Sequence, residues 1–298
     1  MATTKRRRLS PGIWFLAPFC LFFLLFFVLP IGYALYQSLF RTERTGLYGE
    51  LGTHQVFAGF GNYAKVFAEG AFVQSVLRVL GYAVVQVPVM IVLATVLALL
   101  LDAASARGVR FFRSAFFLPY GVPGVIASIL WGFLYTPGIS PLVSIGGHLG
   151  LTPDFLGPNT VLWSIANIVT WQFAGYNMLV IIAQLKAVPG DLMEASRIDG
   201  ANAWQAIWHI KLPLIRPAIV LATVFTIIGS LQLFTEPLVL QPLTANVTST
   251  YTPNIAAYAD AFSNNNYNYA AAEAVLLALI AAILSFGFLR LVGGRRRG

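Results

Sequence analysis

Six long apolar runs separated by short polar connections set the rhythm of the chain, at residues 13–39, 72–101, 111–135, 161–185, 217–240 and 269–292. A helix needs roughly 20 apolar residues to cross a hydrocarbon core about 30 Å thick, and every run meets that length. Strands of a membrane barrel alternate apolar and polar faces, whereas these runs are uniformly apolar. Helices, which satisfy their own backbone donors and acceptors in lipid, are therefore predicted throughout. The expected fold class is an all-α membrane protein with six transmembrane helices in residues 13–292, between basic tails at 1–12 and 293–298.

One connection, at 189–213, carries more polar residues than the others. Asp191 is predicted to cap a short helix there, with Glu194 reaching back to the free backbone donor. Gly200, after Asp199, supplies the left-handed backbone that ends such a helix, and Asn202 with Gln205 three residues on offers a second cap. The next helix carries Ala203, Ile207 and Ile210 at helical spacing, with Trp204 and Trp208 four apart. Pro213 lacks a backbone donor and is expected to redirect the chain, leaving a compact amphipathic hairpin.

Composition agrees with a membrane setting. Of 298 residues, 58% are hydrophobic and 10% charged, too little polar surface to cover a soluble globule of this size. The formal net charge of +8 would suit nucleic acid, but the basic residues sit in short clusters between apolar runs, so nucleic acid is not an expected partner. Fifteen of the 19 Lys and Arg fall at 5–8, Arg107, Arg110, Arg113, Lys186, Arg197, Lys211, Arg216, Arg290 and 295–297. The other face of the membrane has Arg41, Arg44, Lys65 and Arg78, partly offset by Glu43, Glu50 and Glu69. The positive-inside rule then puts both termini and the hairpin in the cytoplasm. The basic start followed by an apolar run is also how a secretory signal begins. No small-residue cleavage site follows, and Ala17-Pro18-Phe19 before Cys20 is a poor lipoprotein site, so an uncleaved first helix is expected. A single cysteine allows neither a disulfide framework nor a thiolate metal site.

The polar connection reads E-A-S-x-x-x-G, nine variable residues, then I-x-L-P. It resembles the EAA loop of bacterial ABC importer permeases, in the carbohydrate-uptake branch typified by the maltose and glycerol-phosphate systems. Glu194, Ala195, Gly200, Ile210, Leu212 and Pro213 match at full spacing; Ser196 replaces the usual second alanine, and Asp199 and Ala201 flank the glycine. The resemblance implies a type I importer permease in the bacterial cytoplasmic membrane. It implies that these nine residues form a coupling helix docked in a cleft of a cytoplasmic ATPase, with Glu194 near basic residues. The implied partners are a second homologous permease, two ATPase subunits that use ATP and Mg, an extracytoplasmic sugar-binding protein and membrane lipid; no cofactor is expected on this chain itself. Phe57-Ala58-Gly59-Phe60-Gly61-Asn62-Tyr63 and Phe117-Leu118-Pro119-Tyr120-Gly121-Val122-Pro123 also match; the first doubles as an interfacial anchor, and the second reads as a packing kink rather than a ligand contact. Departures lie at Leu243-Thr244-Ala245-Asn246, where relatives carry a Gly-Gly-Pro turn, and at Asn268, where glycine is usual.

Polar groups in mid-membrane are costly and face partners or water-filled paths. Phe173, Tyr176 and Asn177 share a helix face beside Gln172, and Gly229, Gln232 and Glu236 share another beside Ser230. Aromatic faces suit the C–H surfaces of sugars, and amides suit their hydroxyls. The same groups would also serve as hydrogen-bonding glue between helices. The resemblance points to Tyr176 and Gln232 as counterparts of the family's sugar path. An enzyme is disfavoured: His54, His148 and His209 are far apart, there is no Gly-x-Ser-x-Gly turn or phosphate-cradling loop, and Asp102, Asp191 and Asp199 read as helix-end residues rather than a metal site. The expected function is the permease subunit of an ATP-driven ABC importer for a di- or oligosaccharide. The alternatives are the same machine for glycerol phosphate or a polyol, an intramembrane hydrolase and an uncoupled channel; the lack of Arg or Lys in the path opposes a phosphate cargo.

Overall fold

The computed structural model describes residues 11–44, 53–103, 105–151 and 153–293. The basic residues at 5–8 and 295–297, and Glu50, lie outside the described residues. The first crossing is α1 (Pro11–Phe23), a wide π turn (Leu24–Val28) and α2 (Leu29–Ser38). It is followed by an antiparallel hairpin, β1 (Phe40–Arg44) with β2 (Thr53–Phe57), in which Phe40 pairs with Phe57. This small sheet departs from the all-helical expectation. It sits outside the apolar runs, and it is held where Asn62 Nδ2 donates to the carbonyls of Ser38 (2.8 Å) and Phe40 (2.7 Å).

After α3 (Gly61–Glu69) comes the longest helix, α4 (Ala71–Asp102). The run expected to be one third crossing is two helices, α5 (Val109–Phe117) and α6 (Gly124–Tyr135), joined by a 3-10 turn (Leu118–Gly121) and bent by 98°. Pro123 explains the corner, because the residue before a proline is driven into extended backbone: Val122 has φ −81° and ψ 125°. Next come α7 (Pro141–His148), α8 (Val161–Leu185), α9 (Gly190–Ile198) and α10 (Ala203–Ala206). A second π turn (Ile207–Lys211) leads into α11 (Leu212–Leu231), and α12 (Thr235–Leu240), α13 (Pro253–Tyr258) and α14 (Tyr267–Gly293) complete the chain. Among the described residues, Phe15–Ser38, Ala71–Asp102, Val161–Leu185, Ala203–Leu243 and Tyr267–Val292 are long and apolar enough to cross a membrane, and the bent pair makes a sixth crossing if counted as one.

The core lies between α4, α8 and α11, where Ala94, Ala98, Met178, Ile181 and Ile215 are buried together. Towards the other end, Tyr82, Ala127, Ile165, Leu240 and Tyr251 form a second cluster that locks α6 and α12 onto α8. Gln86 Nε2 donates to Thr170 Oγ1 across the α4–α8 seam at 2.8 Å. From Phe15 on, the described residues of the first crossing contribute no buried side chain before Ser38, as lipid is a good solvent for apolar surface. Both departures from the family pattern have structural employment. Thr244 Oγ1 and Asn246 Nδ2 donate to the Leu156 carbonyl at 2.9 and 2.8 Å. Asn268, 2% exposed, accepts from Thr42 Oγ1 and donates to the Gln37 carbonyl, tying α14 to α2 and β1.

Candidate functional site: a cavity between the helices and a polar hairpin

A cavity of about 380 Å³ opens between α8, α11 and the corner that joins α5 to α6. All seven candidate path residues line it: Phe173, Tyr176, Asn177, Gly229, Ser230, Gln232 and Glu236. They arrive by a different route from the one expected. α11 stops at Leu231, Gln232 caps it, Phe234 leaves helical backbone (φ −143°), and Glu236 stands in the first turn of α12. The shared helix face proposed for Gly229, Gln232 and Glu236 is therefore corrected to an unwound corner. Its cause is Pro237, whose ring would strike the carbonyl of residue 233 in a continuous helix.

Tyr120 was missed as a lining residue. Its ring stacks on Tyr176 (centroids 4.8 Å apart, planes 18° apart) and meets Phe173 edge-on at 5.8 Å. The signal available in sequence was an aromatic residue between Pro119 and Pro123; both the corner and a cavity-facing ring result. Gly175 brings the two walls together: a Cβ there would lie 1.9 Å from the Phe116 carbonyl oxygen. Only a residue without a side chain lets α8 touch the α5 backbone so closely.

Hydrogen bonding separates the polar residues into two kinds. Gln172 Nε2 donates to the Val122 carbonyl (2.8 Å) and stays off the cavity wall, while Asn177 Nδ2 reaches Met90 Sδ (3.2 Å) and the Phe173 carbonyl (3.3 Å). These two act as glue between helices. By contrast, Tyr120, Tyr176, Ser230, Gln232, Thr235 and Glu236 make no side-chain hydrogen bond among the described residues, though all line the cavity. Their polar atoms are available to a ligand. Among the described residues no Lys, Arg or His is on the wall, and Glu236, 8% exposed, is its one carboxylate.

At the other end of α8, the polar connection folds as two short helices. Asp191 does not cap α9: Pro189 occupies the cap position without a side-chain bond, and Asp191 lies in the first turn, where its charge still complements the helix dipole. Gly200 is left-handed (φ +79°), and α9 closes with Gly200 N–H to the Arg197 carbonyl (3.1 Å) and Ala201 N–H to the Ser196 carbonyl (2.9 Å). Asn202 and Gln205 form a reciprocal capping box, both bonds 2.8 Å. Pro213 does not end the second helix. The π turn at Ile207–Lys211, with Leu212 N–H bonding to the Ile207 carbonyl, widens the ladder just before the proline, so α10 runs on into α11. Glu194, Ala195, Asp199, Gly200 and Pro213 are exposed, and Ala201, Ile210 and Leu212 are half-buried. Ser196 is buried with its hydroxyl donated to the Met193 carbonyl at 2.9 Å, so serine fits an alanine's place without an unpaired group. Behind the hairpin, Lys211 Nζ pairs with Asp102 Oδ2 of α4 at 2.7 Å.

Residues 56–298 match the family described as binding-protein-dependent transport system inner membrane component. The chain is 32% identical to the probable starch degradation products transport system permease protein AmyD of Thermoanaerobacterium thermosulfurigenes, over 94% of each chain. It is 30% identical to the trehalose transport system permease protein SugA of Mycobacterium tuberculosis, over 90% of this chain and 84% of that one. Its fold is similar to that of a bacterial ABC transporter involved in the import of the acidic polysaccharide alginate, with a TM-score of 0.80 at 20% identity over 96% of this chain and 97% of that one.

Proposed function

The chain belongs to the family of binding-protein-dependent transport system inner membrane components, the permease subunits of ABC importers, and from that premise we propose that its cargo is a neutral di- or oligosaccharide. One observation carries the cargo: the cavity between α8, α11 and the α5–α6 corner combines stacked and edge-on aromatic rings with polar tips that have no partner among the described residues. Tyr120, Phe173 and Tyr176 offer flat apolar faces to pyranose C–H surfaces. Tyr176, Gln232 and Ser230 offer hydrogen bonds to hydroxyls. Few such bonds, each worth about 0.5–1.5 kcal/mol, suit a path that must release what it holds. Glycerol phosphate fits less well, because among the described residues no Lys, Arg or His lines the wall to bind it. The names of AmyD and SugA, a starch-product and a trehalose permease, support the same cargo class.

In this reading the hairpin of α9 and α10 is the coupling element. Glu194 and its exposed neighbours meet a cytoplasmic ATPase that binds ATP and Mg, a second permease completes the path, and an extracytoplasmic binding protein delivers the sugar. The test is uptake by the reconstituted complex with its binding protein, using α-1,4- and β-1,4-glucans of two to five units, trehalose and sn-glycerol 3-phosphate. Uptake of a glycan is expected, and Tyr176→Ala and Gln232→Ala should lower it several-fold to about tenfold while basal ATPase activity and assembly persist. Transport of the phosphate ester and of no glycan would refute the carbohydrate reading. Destabilised variants with unchanged transport per folded complex would return both residues to a packing role.

A further inference from the structure

Beside the first cavity lies a second space of about 470 Å³, and Gln232 and Phe234 line both. The unwound corner between α11 and α12 is thus the partition between them. The other walls of the second space are Asn254 and Tyr258 of α13 and Ala274, Leu277, Ala278 and Ala281 of α14. We propose that this second space continues the glycan path and holds the further units of an oligosaccharide whose first units lie against Tyr120 and Tyr176. The proposal rests on the carbohydrate reading and narrows it to chains longer than a disaccharide.

Three observations support the assignment. The second wall repeats the chemistry of the first: the Phe234 and Tyr258 rings stand edge-on at 5.4 Å, and the amides of Gln232 and Asn254 make no side-chain hydrogen bond among the described residues. Amides left unpaired in an apolar setting cost free energy, so a space meant only for lipid or packing would not carry two of them. The alanines recur at helical spacing on α14 and leave open the volume that larger side chains would fill. Finally, the first cavity stands near the lower end of the roughly 300–1,000 Å³ typical of small-molecule sites, and the second adds as much again.

The experiment compares initial uptake of two-unit and five-unit members of the α-1,4- and β-1,4-glucan series by the reconstituted complex with its binding protein. Asn254→Ala removes an amide, and Ala278→Trp fills the space. Both should cut five-unit uptake about tenfold and leave two-unit uptake within about twofold, whereas Tyr176→Ala should lower both lengths. Equal losses at both lengths, no loss at five units, or a wild type that carries the two-unit but not the five-unit glycan would overturn the proposal. So would loss of the partner permease from Ala278→Trp with Asn254→Ala transporting normally, since the space would then be a subunit interface. Failure of the wild type to carry any glycan marks a failure of the carbohydrate reading itself, which the wild-type arm reveals separately.

Discussion

Replacing Gly175 by alanine tests the close approach that shapes the cavity. Alanine is the better helix former by about 1 kcal/mol, so from helix propensity alone the change should stabilise α8. The added methyl, however, would sit 1.9 Å from the Phe116 carbonyl oxygen, 2.5 Å from its carbonyl carbon and 2.9 Å from Phe117 Cα. All three are backbone atoms, which no rotamer change can move aside. Restoring an ordinary contact of about 3.5 Å requires the walls to part by about 1.6 Å. Overpacking of this kind costs about 1–3 kcal/mol, enough to outweigh the propensity gain. The displaced α5 segment leads directly into Tyr120, so the ring pair with Tyr176, worth about 0.5–1.5 kcal/mol, is also disturbed. Gly229 is the control: it too lines the cavity on a helix, but nothing lies within 4 Å of its would-be Cβ. Thermal unfolding of the purified complex and uptake per folded complex should both fall for Gly175→Ala, while Gly229→Ala melts at or above wild type. A Gly175→Ala complex with wild-type melting and transport would show that α8 and α5 do not approach in this way.

Gly200→Val should detach or uncouple the ATPase: with nothing within 4 Å of the would-be Cβ, its cost is the positive φ, of order 1 kcal/mol, so Gly200→Asn should be far milder in ATPase stimulation assays. Glu194→Gln keeps the shape of an exposed side chain that caps nothing here, so it should weaken ATPase association mainly at low salt; a binding curve with unchanged salt dependence would assign Glu194 no charged contact. Asp102→Ala and Lys211→Met, examined singly and together by thermal unfolding, should show a coupling of about 1–2 kcal/mol, because the pair is 2.7 Å apart and only 16% and 15% exposed; additive effects would mean the bridge contributes nothing.

Much of this protein was legible in one dimension because the bilayer imposes one-dimensional rules. Length and apolarity located the helices, and the hairpin's Gly200 and its Asn202–Gln205 cap followed from local backbone chemistry. Polar residues that line the cavity were also conspicuous, since they interrupt apolar runs. What sequence could not decide was how each proline would be accommodated. Pro123 makes a 98° corner, Pro237 an unwound strip, and Pro213 only a π turn within a continuing helix. A missing donor and a ring clash are the same in all three places; whether the backbone breaks, bends or widens depends on what neighbouring helices can pack against and satisfy. Those outcomes brought Tyr120 onto Tyr176, set Gln232 between two cavities, and left its amide unbonded among the described residues while Asn177 was drawn into a helix seam. Local propensity and hydrophobicity act along the chain and can be read from it. The division of polar groups between helix seam and cavity wall is made by close packing across helices, which exists only once the helices have met.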